Sequence, residues 1–454
     1  MSSEPAFFLH FTAALLPGGW ADDVRIGIAR GVIASIDVGV AAAATDERDG
    51  IALPGLPNLH SHAFQRGMAG LAESRGPSSD SFWTWRETMY RFVDRLTPDH
   101  LQAIAALAYV EMLESGFTRV GEFHYLHHDL DGRAYADPAE MSAAIAMAAQ
   151  DSGIGLTHLP VFYAHASFGG LPPGEGQGRF VHDLDSFAAL LGRLTTTLRP
   201  LPDAVLGLAP HSLRAVTLEE LAKLVPQASG PIHIHVAEQV KEVDDCLAWS
   251  GARPVEWLLA NAAVDSHWCL VHATHMTAAE TGAFAASGAV AGLCPITEAN
   301  LGDGLFPAEG FLAADGAYGI GSDSNVLIDA TEELRLLEYG QRLTARRRNV
   351  MAPAGGSTGG ALYRRALAGG AQALGVQAGL MIGASADFVT IDSDHPSLVG
   401  RRGDLLLDGL IFAAGRSAID RVWRRGRRVV EHGRHIDRDR IAARYRRALA
   451  DMHA

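Results

Sequence analysis

The hydrophobic pattern of the chain divides it into two textures. Residues 5 to 53 read as short strands separated by turns. Pro17-Gly18-Gly19 is a turn signal, Asp23-Val24-Arg25-Ile26-Gly27-Ile28 alternates with period two, and Gly31-Val32-Ile33-Ala34-Ser35-Ile36 follows. The far end repeats that texture in Ala386-Asp387-Phe388-Val389-Thr390-Ile391 and Ile419-Asp420-Arg421-Val422-Trp423. An Arg425-Gly426-Arg427 turn then precedes Val429-Val430. Two strand-rich ends around a different middle predict one small domain built from both termini.

The middle alternates short apolar runs with helical periodicity. Thr97-Pro98-Asp99 caps a helix whose apolar stripe runs to Ser115 and stops at Gly116, because proline suits the first turn and glycine ends the last. A strand from Phe117 to Phe123, a helix from about Ala139 and a strand from Gly155 to Val161 follow. The alternation continues through a helix at Phe187 to Leu198, a strand at Ala204 to His211 and a helix near Leu218 to Leu224. Further strands are read at Pro231 to Glu238, Cys269 to His272, Ala289 to Cys294 and Ala317 to Gly321. Counted from Leu53, these are eight strand–helix units. The expected class is α/β, a (β/α)8 barrel with its functional groups at the strand ends. A doubly wound open sheet is the alternative, but no Gly-X-Gly-X-X-Gly turn follows an early strand.

Composition narrows the function classes. The chain is 48% hydrophobic and 20% charged, within the range of soluble globular proteins. Its three cysteines, Cys246, Cys269 and Cys294, are widely spaced and form no Cys-X-X-Cys pair, which argues for a reducing compartment without a disulfide framework. The apolar stretch within Met1 to Pro17 has no basic residue before it, so it does not read as a secretory signal. No run approaches the ~18 apolar residues of a membrane helix, and the expectation is a cytoplasmic protein. A formal net charge of −14 argues against nucleic acid as a partner. The basic clusters Arg346 to Arg348 and Arg424 to Arg428 read as solvated faces. An anionic substrate bound by so acidic a chain needs dedicated arginines.

The candidate chemistry lies at the predicted strand ends. The run Leu53 to His62 finishes in His60-Ser61-His62. Positions i and i+2 of a strand share a face, so both imidazoles can reach one ion. Taken alone, the pair is equally two polar residues at a strand end. His235 closes the fifth predicted strand, His272 the sixth and Asp323 the eighth. Three imidazoles and a carboxylate suit a divalent metal with room for water as a further ligand, and such an ion brings the pKa of that water to about 7. His233 shares a strand face with His235 and competes with it as the third histidine.

His60-X-His62, His235-X-X-Glu238, His272 and Ser322-Asp323-Ser324 resemble the metal and catalytic motifs of the amidohydrolase superfamily, in its deaminase branch. Four further stretches, Leu59 to Gly67, Phe82 to Glu87, Glu122 to His128 and Ala209 to Arg214, are similar to one subfamily. Its members are iminohydrolases acting on N-formimidoyl-L-glutamate in a bacterial route of histidine degradation. The likeness covers nearly the whole chain. It implies a small β-sandwich domain from residues 1–54 and 379–436, a catalytic barrel over 55–378 and a C-terminal helix at 437–454.

The resemblance also implies one divalent metal ion, zinc, held by His60, His62, His235 and Asp323, with His235 preferred over His233 because the motif pairs it with Ala237-Glu238. Binuclear relatives bridge their ions with a lysine or an acid at the end of the fourth strand. Here that strand ends in Pro210-His211-Ser212, and the only lysines are Lys223 and Lys241. Glu238 is then the general acid/base, His272 the hydrogen-bonding partner of the attacking oxygen, and Asp323 a ligand that passes a second proton to departing ammonia. For a substrate with two carboxylates, Arg86 and Arg214 are the expected partners, since guanidinium matches carboxylate in a bidentate way. Gln65, Tyr125 and His211 are expected to hydrogen-bond it. Phe82, Trp83 and Trp85 read either as a loop over the site or as core packing. His124, His127, His128 and His275 read as supporting or loop histidines. The family implies a homodimer. A nucleobase-type deaminase using the same metal site and a non-catalytic barrel scaffold are the competing readings.

Overall fold

The computed structural model describes residues 7–75 and 82–453. The first six residues of the amino-terminal stretch lie outside the described residues, as do residues 76–81 and Ala454. The period-two alternation at the start becomes four strands, β1 (Phe7–Leu16), β2 (Gly19–Ala29), β3 (Val32–Val38) and β4 (Glu47–Pro54). Strand β1 pairs antiparallel with β2 and parallel with β4, and β2 pairs antiparallel with β3. After Gly55 the same apolar run starts the barrel, so the continuous stretch Leu53 to His62 serves two sheets.

The barrel strands are β5 (Leu56–Ser61), β6 (Phe117–His124), β7 (Gly155–Phe162), β8 (Val205–Leu206), β9 (Ala209–Pro210), β10 (Ile232–Val236), β11 (Trp268–His272), β12 (Val290–Leu293) and β13 (Ala317–Ile320). Neighbours run parallel in the order β10-β11-β12-β13-β5-β6-β7-β8, with β9 also on β7. Single bridges Leu208–Ile232 and Ser212–His235 join the fourth unit to β10 and close the circle. Strands β5, β6 and β7 are buried at every position, which is why they read as apolar runs rather than alternations. The expected strand Ala204 to His211 is instead two short pieces broken at Gly207-Leu208. A Cβ at Gly207 would lie 2.6 Å from the Pro231 carbonyl oxygen, so the backbones cross too closely there for an ordinary ladder.

The chain returns to the first sheet through β14 (Phe388–Ile391), β15 (Ile419–Arg424), β16 (Arg427–Glu431) and β17 (Arg434–His435). Strand β14 pairs antiparallel with β4, in register from Phe388 opposite Pro54 to Ile391 opposite Ile51. The two ends therefore form one eight-stranded sheet with its own buried cluster, including Phe11, Ile26, Phe388 and Trp423. Between β14 and β15 the chain is not all strand, since Asp404–Gly409 is helical. The last helix, Arg438–His453, reaches the helix Pro98–Glu114 through Arg438, which pairs with Glu111 and Glu114.

Arg424 corrects the reading of its cluster as a solvated face. It is only 4% exposed and pairs with Asp387 of the terminal sheet and with Asp203, at 2.7 Å, on the approach to β8. Arg119 of β6 takes the same Asp203 oxygen at 2.7 Å and donates to the Leu156 carbonyl. Two guanidiniums and two carboxylates thus fasten the sheet to the closed end of the barrel. Burial alone would raise the Asp203 pKa, but the charges of Arg424 and Arg119 outweigh it and hold the carboxyl below its usual range. A folded-state pKa below the unfolded one stabilises at every pH above the usual carboxylate range. That contribution falls away as pH drops through it.

Removing one partner strands the opposite charges in a dry site. Arg424→Met is expected to cost about 3 kcal/mol, seen as a lower urea midpoint at neutral pH. The gap between variant and wild type should narrow once pH falls below the usual carboxylate range, where the depressed Asp203 carboxyl becomes protonated.

Candidate metal centre and active site

The first and eighth barrel strands are tied together at their carboxyl ends by an amide lattice. Asn58 donates to Ser322 Oγ at 2.6 Å and accepts from the Ser322 amide at 3.0 Å. The Asn325 side-chain nitrogen donates to Ser61 Oγ and to the carbonyls of His62 and Asp323, at 3.0–3.1 Å. His62 N–H donates to Asp323 O and Asp323 N–H to His60 O, at 2.9 and 3.0 Å. Asp323 and Asn325 take φ values of 43° and 55°, left-handed conformations that cost energy in non-glycine residues. The lattice supports that strain and turns the Asp323 side chain back over the strand end. Ser61, more than a spacer between histidines, is one of its acceptors.

His60, His62, His235 and Asp323 converge, with ligand atoms all within 4.8 Å of one another and all four residues buried. His60 Nε2 lies 3.2 Å from His62 Nε2 and 3.1 Å from His235 Nε2. Asp323 Oδ1 lies 3.4 Å from the first of these nitrogens and 3.2 Å from the second. A tetrahedral ion with bonds of about 2.0–2.1 Å spaces its ligands about 3.3 Å apart. The tautomers point the same way. His62 Nδ1 donates to the Phe123 carbonyl and His235 Nδ1 to the His211 carbonyl, at 2.9 and 3.1 Å. Their Nε2 lone pairs therefore face inward, where only a cation satisfies them together. Burial pushes His60 down to about 3 and lowers His62 and His235 as well, so the imidazoles are neutral, the ligand form. Burial opposes the Asp323 carboxylate, but hydrogen bonding with His60 holds it well below its usual range. These residues fit one divalent metal ion.

Two further groups face the same point. After β10, Ala237 turns the chain with φ 52°, and Glu242 accepts the amides of Ala237 and Glu238 at 3.2 and 3.1 Å. This aims Glu238 at His272, with Oε1 3.7 Å from Nε2. Burial pushes the Glu238 carboxyl up to about 7, where it can both take and give a proton near neutrality. His272, at the end of β11, has its other nitrogen 3.3 Å from Glu298. Burial opposes its charge, but Glu238, Glu298 and Asp323 prevail and push it up to about 10.

Above this floor opens a pocket of about 650 Å3 including its mouth. All five sequence-derived substrate residues line it: Gln65, Arg86, Tyr125, His211 and Arg214. Gln65 donates to the Tyr125 hydroxyl at 2.8 Å, and its buried carbonyl oxygen has no partner among the described residues. Arg86 lies 4.5 Å over the Trp83 ring and Arg214 5.7 Å from it. Neither arginine pairs with a carboxylate among the described residues. The His211 ring lies 4.7 Å from Tyr163 and 5.1 Å from His235.

Some expectations change. Phe82, Trp83 and Trp85 sit on a helix, Phe82–Val93, rather than a loop, and its positions 82, 85, 86, 89 and 90 form one stripe along the pocket wall. His233 lies a layer deeper and bonds the Ala373 carbonyl at 2.7 Å, which leaves His235 as the converging histidine. His124 and His127 are buried behind the site, their rings 5.4 Å apart. Sequence reasoning missed Tyr163, Phe180 and Glu298. Glu298 carried a signal, since an acid three residues after Pro295 reads as a helix-start partner and indeed accepts the Cys294 amide at 3.0 Å.

The model of the amidohydrolase family matches residues 51–429. The chain belongs to the amidohydrolase family. A second model, described as formimidoylglutamate deiminase HutF, N-terminal domain, matches residues 6–50. Formimidoylglutamate deiminase of Pseudomonas aeruginosa is 54% identical over 97% of this chain and 98% of its own length. A 5-methylthioadenosine/S-adenosylhomocysteine deaminase of Natronomonas pharaonis is 28% identical over 77% of this chain and 74% of its own. Among solved structures, an amidohydrolase from Brucella melitensis superposes with a TM-score of 0.95 at 57% identity, covering 99% of this chain and 100% of that one. An adenosine deaminase from Xanthomonas campestris with bound zinc shares the fold, with a TM-score of 0.80 at 22% identity and 98% of both chains covered.

Protein dialysed against metal-free buffer is expected to retain one divalent ion per chain by elemental analysis, and His235→Ala to lose it. Asn325→Ala, which touches no ligand atom but loosens the lattice beneath Asp323, should weaken metal affinity by about 10- to 100-fold in a chelator competition.

Proposed function

We propose that this family member is a metal-dependent iminohydrolase that converts N-formimidoyl-L-glutamate and water to N-formyl-L-glutamate and ammonia, a step of histidine degradation. The observation that carries the reading is the combination of a hydrolytic metal floor with Arg86 and Arg214 in the pocket, neither paired with a carboxylate among the described residues. The likeness to the Pseudomonas aeruginosa relative named formimidoylglutamate deiminase supports the same substrate.

A zinc ion held by His60, His62, His235 and Asp323 supplies the Lewis acidity that makes water nucleophilic near neutral pH. Glu238 accepts the proton of the attacking water and delivers it to the terminal nitrogen of the formimidoyl group. His272, steadied by Glu298, donates a hydrogen bond to the oxygen that adds to the carbon. The bond from that carbon to the terminal nitrogen then breaks, and Asp323 relays the last proton to departing ammonia. Arg86 and Arg214 bind the two carboxylates. Gln65 is oriented by Tyr125, so its oxygen, without a partner among the described residues, accepts an N–H of the substrate. His211 is kept neutral by burial and the nearby Arg214 charge and completes the polar wall.

The same reading makes the enzyme a cytoplasmic homodimer that binds no nucleic acid. The net charge of −14 argues against a nucleic-acid partner and the three free cysteines fit a reducing compartment, while no described helix is long and apolar enough to cross a membrane.

Purified zinc-loaded protein is expected to release ammonia from N-formimidoyl-L-glutamate. No release, together with good turnover of guanine or another cyclic amidine, would overturn the assignment in favour of a nucleobase-type deaminase. Glu238→Gln should lower kcat by about 10^2- to 10^4-fold with metal content unchanged. Arg86→Met and Arg214→Met should each raise KM by about 30-fold or more, the cost of leaving a carboxylate unpaired.

A further inference from the structure

Beside the four-ligand floor lies a second convergence, which shares Asp323 with the first and adds a buried thiol that the reaction does not use. Strands β11, β12 and β13 are consecutive neighbours in the barrel. His272 ends the first, Cys294 follows the second and Asp323 follows the third. A ring nitrogen of His272, Sγ of Cys294 and a carboxylate oxygen of Asp323 all lie within 4.8 Å of one another, and all three residues are buried. Cys294 is a free thiol whose backbone amide is fixed by Glu298 at the start of the helix Pro295–Leu301.

Asp323 divides its carboxylate between the two groups. Its Oδ1 faces His60 and His62 at 3.4 and 3.2 Å, while Oδ2 faces His272 Nε2 at 3.8 Å. An ion at the second position would share Asp323 with the first. It would add imidazole and thiolate ligands, a set that favours thiophilic divalent metals such as zinc and cadmium over magnesium or manganese.

We propose that His272, Cys294 and Asp323 form a second, inhibitory site for a thiophilic divalent ion. Binding releases the thiol proton of Cys294 and the ring proton of His272 to solvent, and no electron changes hands. The bound ion takes the His272 nitrogen needed to hydrogen-bond the attacking oxygen and ties the Asp323 oxygen needed for proton relay. Turnover therefore stops while the first ion stays in place. His272 and Asp323 both line the pocket, so the ion reaches the site from the substrate side.

Holoenzyme dialysed against excess zinc is expected to take up a second equivalent and to lose at least about tenfold of its turnover. Cys294→Ala and Cys294→Ser should retain normal turnover at trace zinc, bind one equivalent and resist that inhibition, whereas Cys269→Ser should behave as wild type. Titrating the holoenzyme with cadmium should produce a thiolate-to-metal charge-transfer band that both Cys294 variants lack. Variants inhibited at the same zinc concentration as wild type, or a wild type that binds one ion and shows no thiolate band, would overturn the proposal. Loss of turnover rests on the function proposed above. Stoichiometry and absorption do not, so failure of the substrate assignment would be separately visible.

Discussion

Three imidazole nitrogens and a carboxylate oxygen pointed at one buried spot repel one another unless a cation joins them. That constraint governs much of the barrel rim. His62 and His235 spend their outer N–H groups on backbone carbonyls, so their lone pairs are directed inward by the strands themselves. Asp323 is carried over the site by a left-handed turn that Asn58, Ser322 and Asn325 hold in place. Folding thus stores a polar cluster whose cost a bound divalent ion offsets. The hydrogen-bonded lattice beneath it keeps the cluster from relaxing when the ion is absent.

The parts of this arrangement differ in how readable they are from sequence. His60-X-His62 and His235-X-X-Glu238 stand out because their residue types are unusual at strand ends and their spacing is set by strand geometry. Asn325, Glu242 and Glu298 act just as directly on the site, yet each is a common polar residue in a loop or first helical turn. Only the folded chain shows that Glu242 accepts the amides that aim Glu238. The barrel itself was readable from the alternation of runs, but the break in its fourth strand was not. It depends on how closely Gly207 passes Pro231, residues 24 apart in the chain, which no local pattern records. Arg424 was misread for a similar reason, since its partners Asp203 and Asp387 come from distant segments.

The terminal sheet and the barrel meet at the opposite end from the chemistry. The apolar run through Leu53 serves β4 and then, after Gly55, β5. The strand that carries the metal-binding histidines therefore begins where the terminal sheet ends. Arg119 and Arg424 fasten the other side of the same junction. Fixing β5 and β6 at their starts limits how far His60 and His62 can move relative to Phe123, whose carbonyl orients one of them. Stability and catalytic geometry are coupled through these two strands rather than through contact between the sheet and the site.

Substrate choice has to come from the pocket wall. An activated water and a proton-carrying carboxylate can attack many amidine carbons, so the floor discriminates little among them. The wall does more, because a polar group built to meet a substrate is left unpaired by one that lacks the partner. Among the described residues Gln65 keeps a buried acceptor open, and Arg86 and Arg214 bring positive charge into a chain with a net charge of −14. A neutral ring compound would leave those guanidiniums without carboxylates in a partly desolvated pocket. In the function proposed above, a linear dicarboxylate pairs with both. The stripe of the helix Phe82–Val93 joins the two tasks, since Trp85 and Met89 supply apolar wall on the same face as Arg86. Under that proposal, the part of the selectivity carried by Arg86 sits on an element outside the barrel strands, apart from the lattice beneath Asp323.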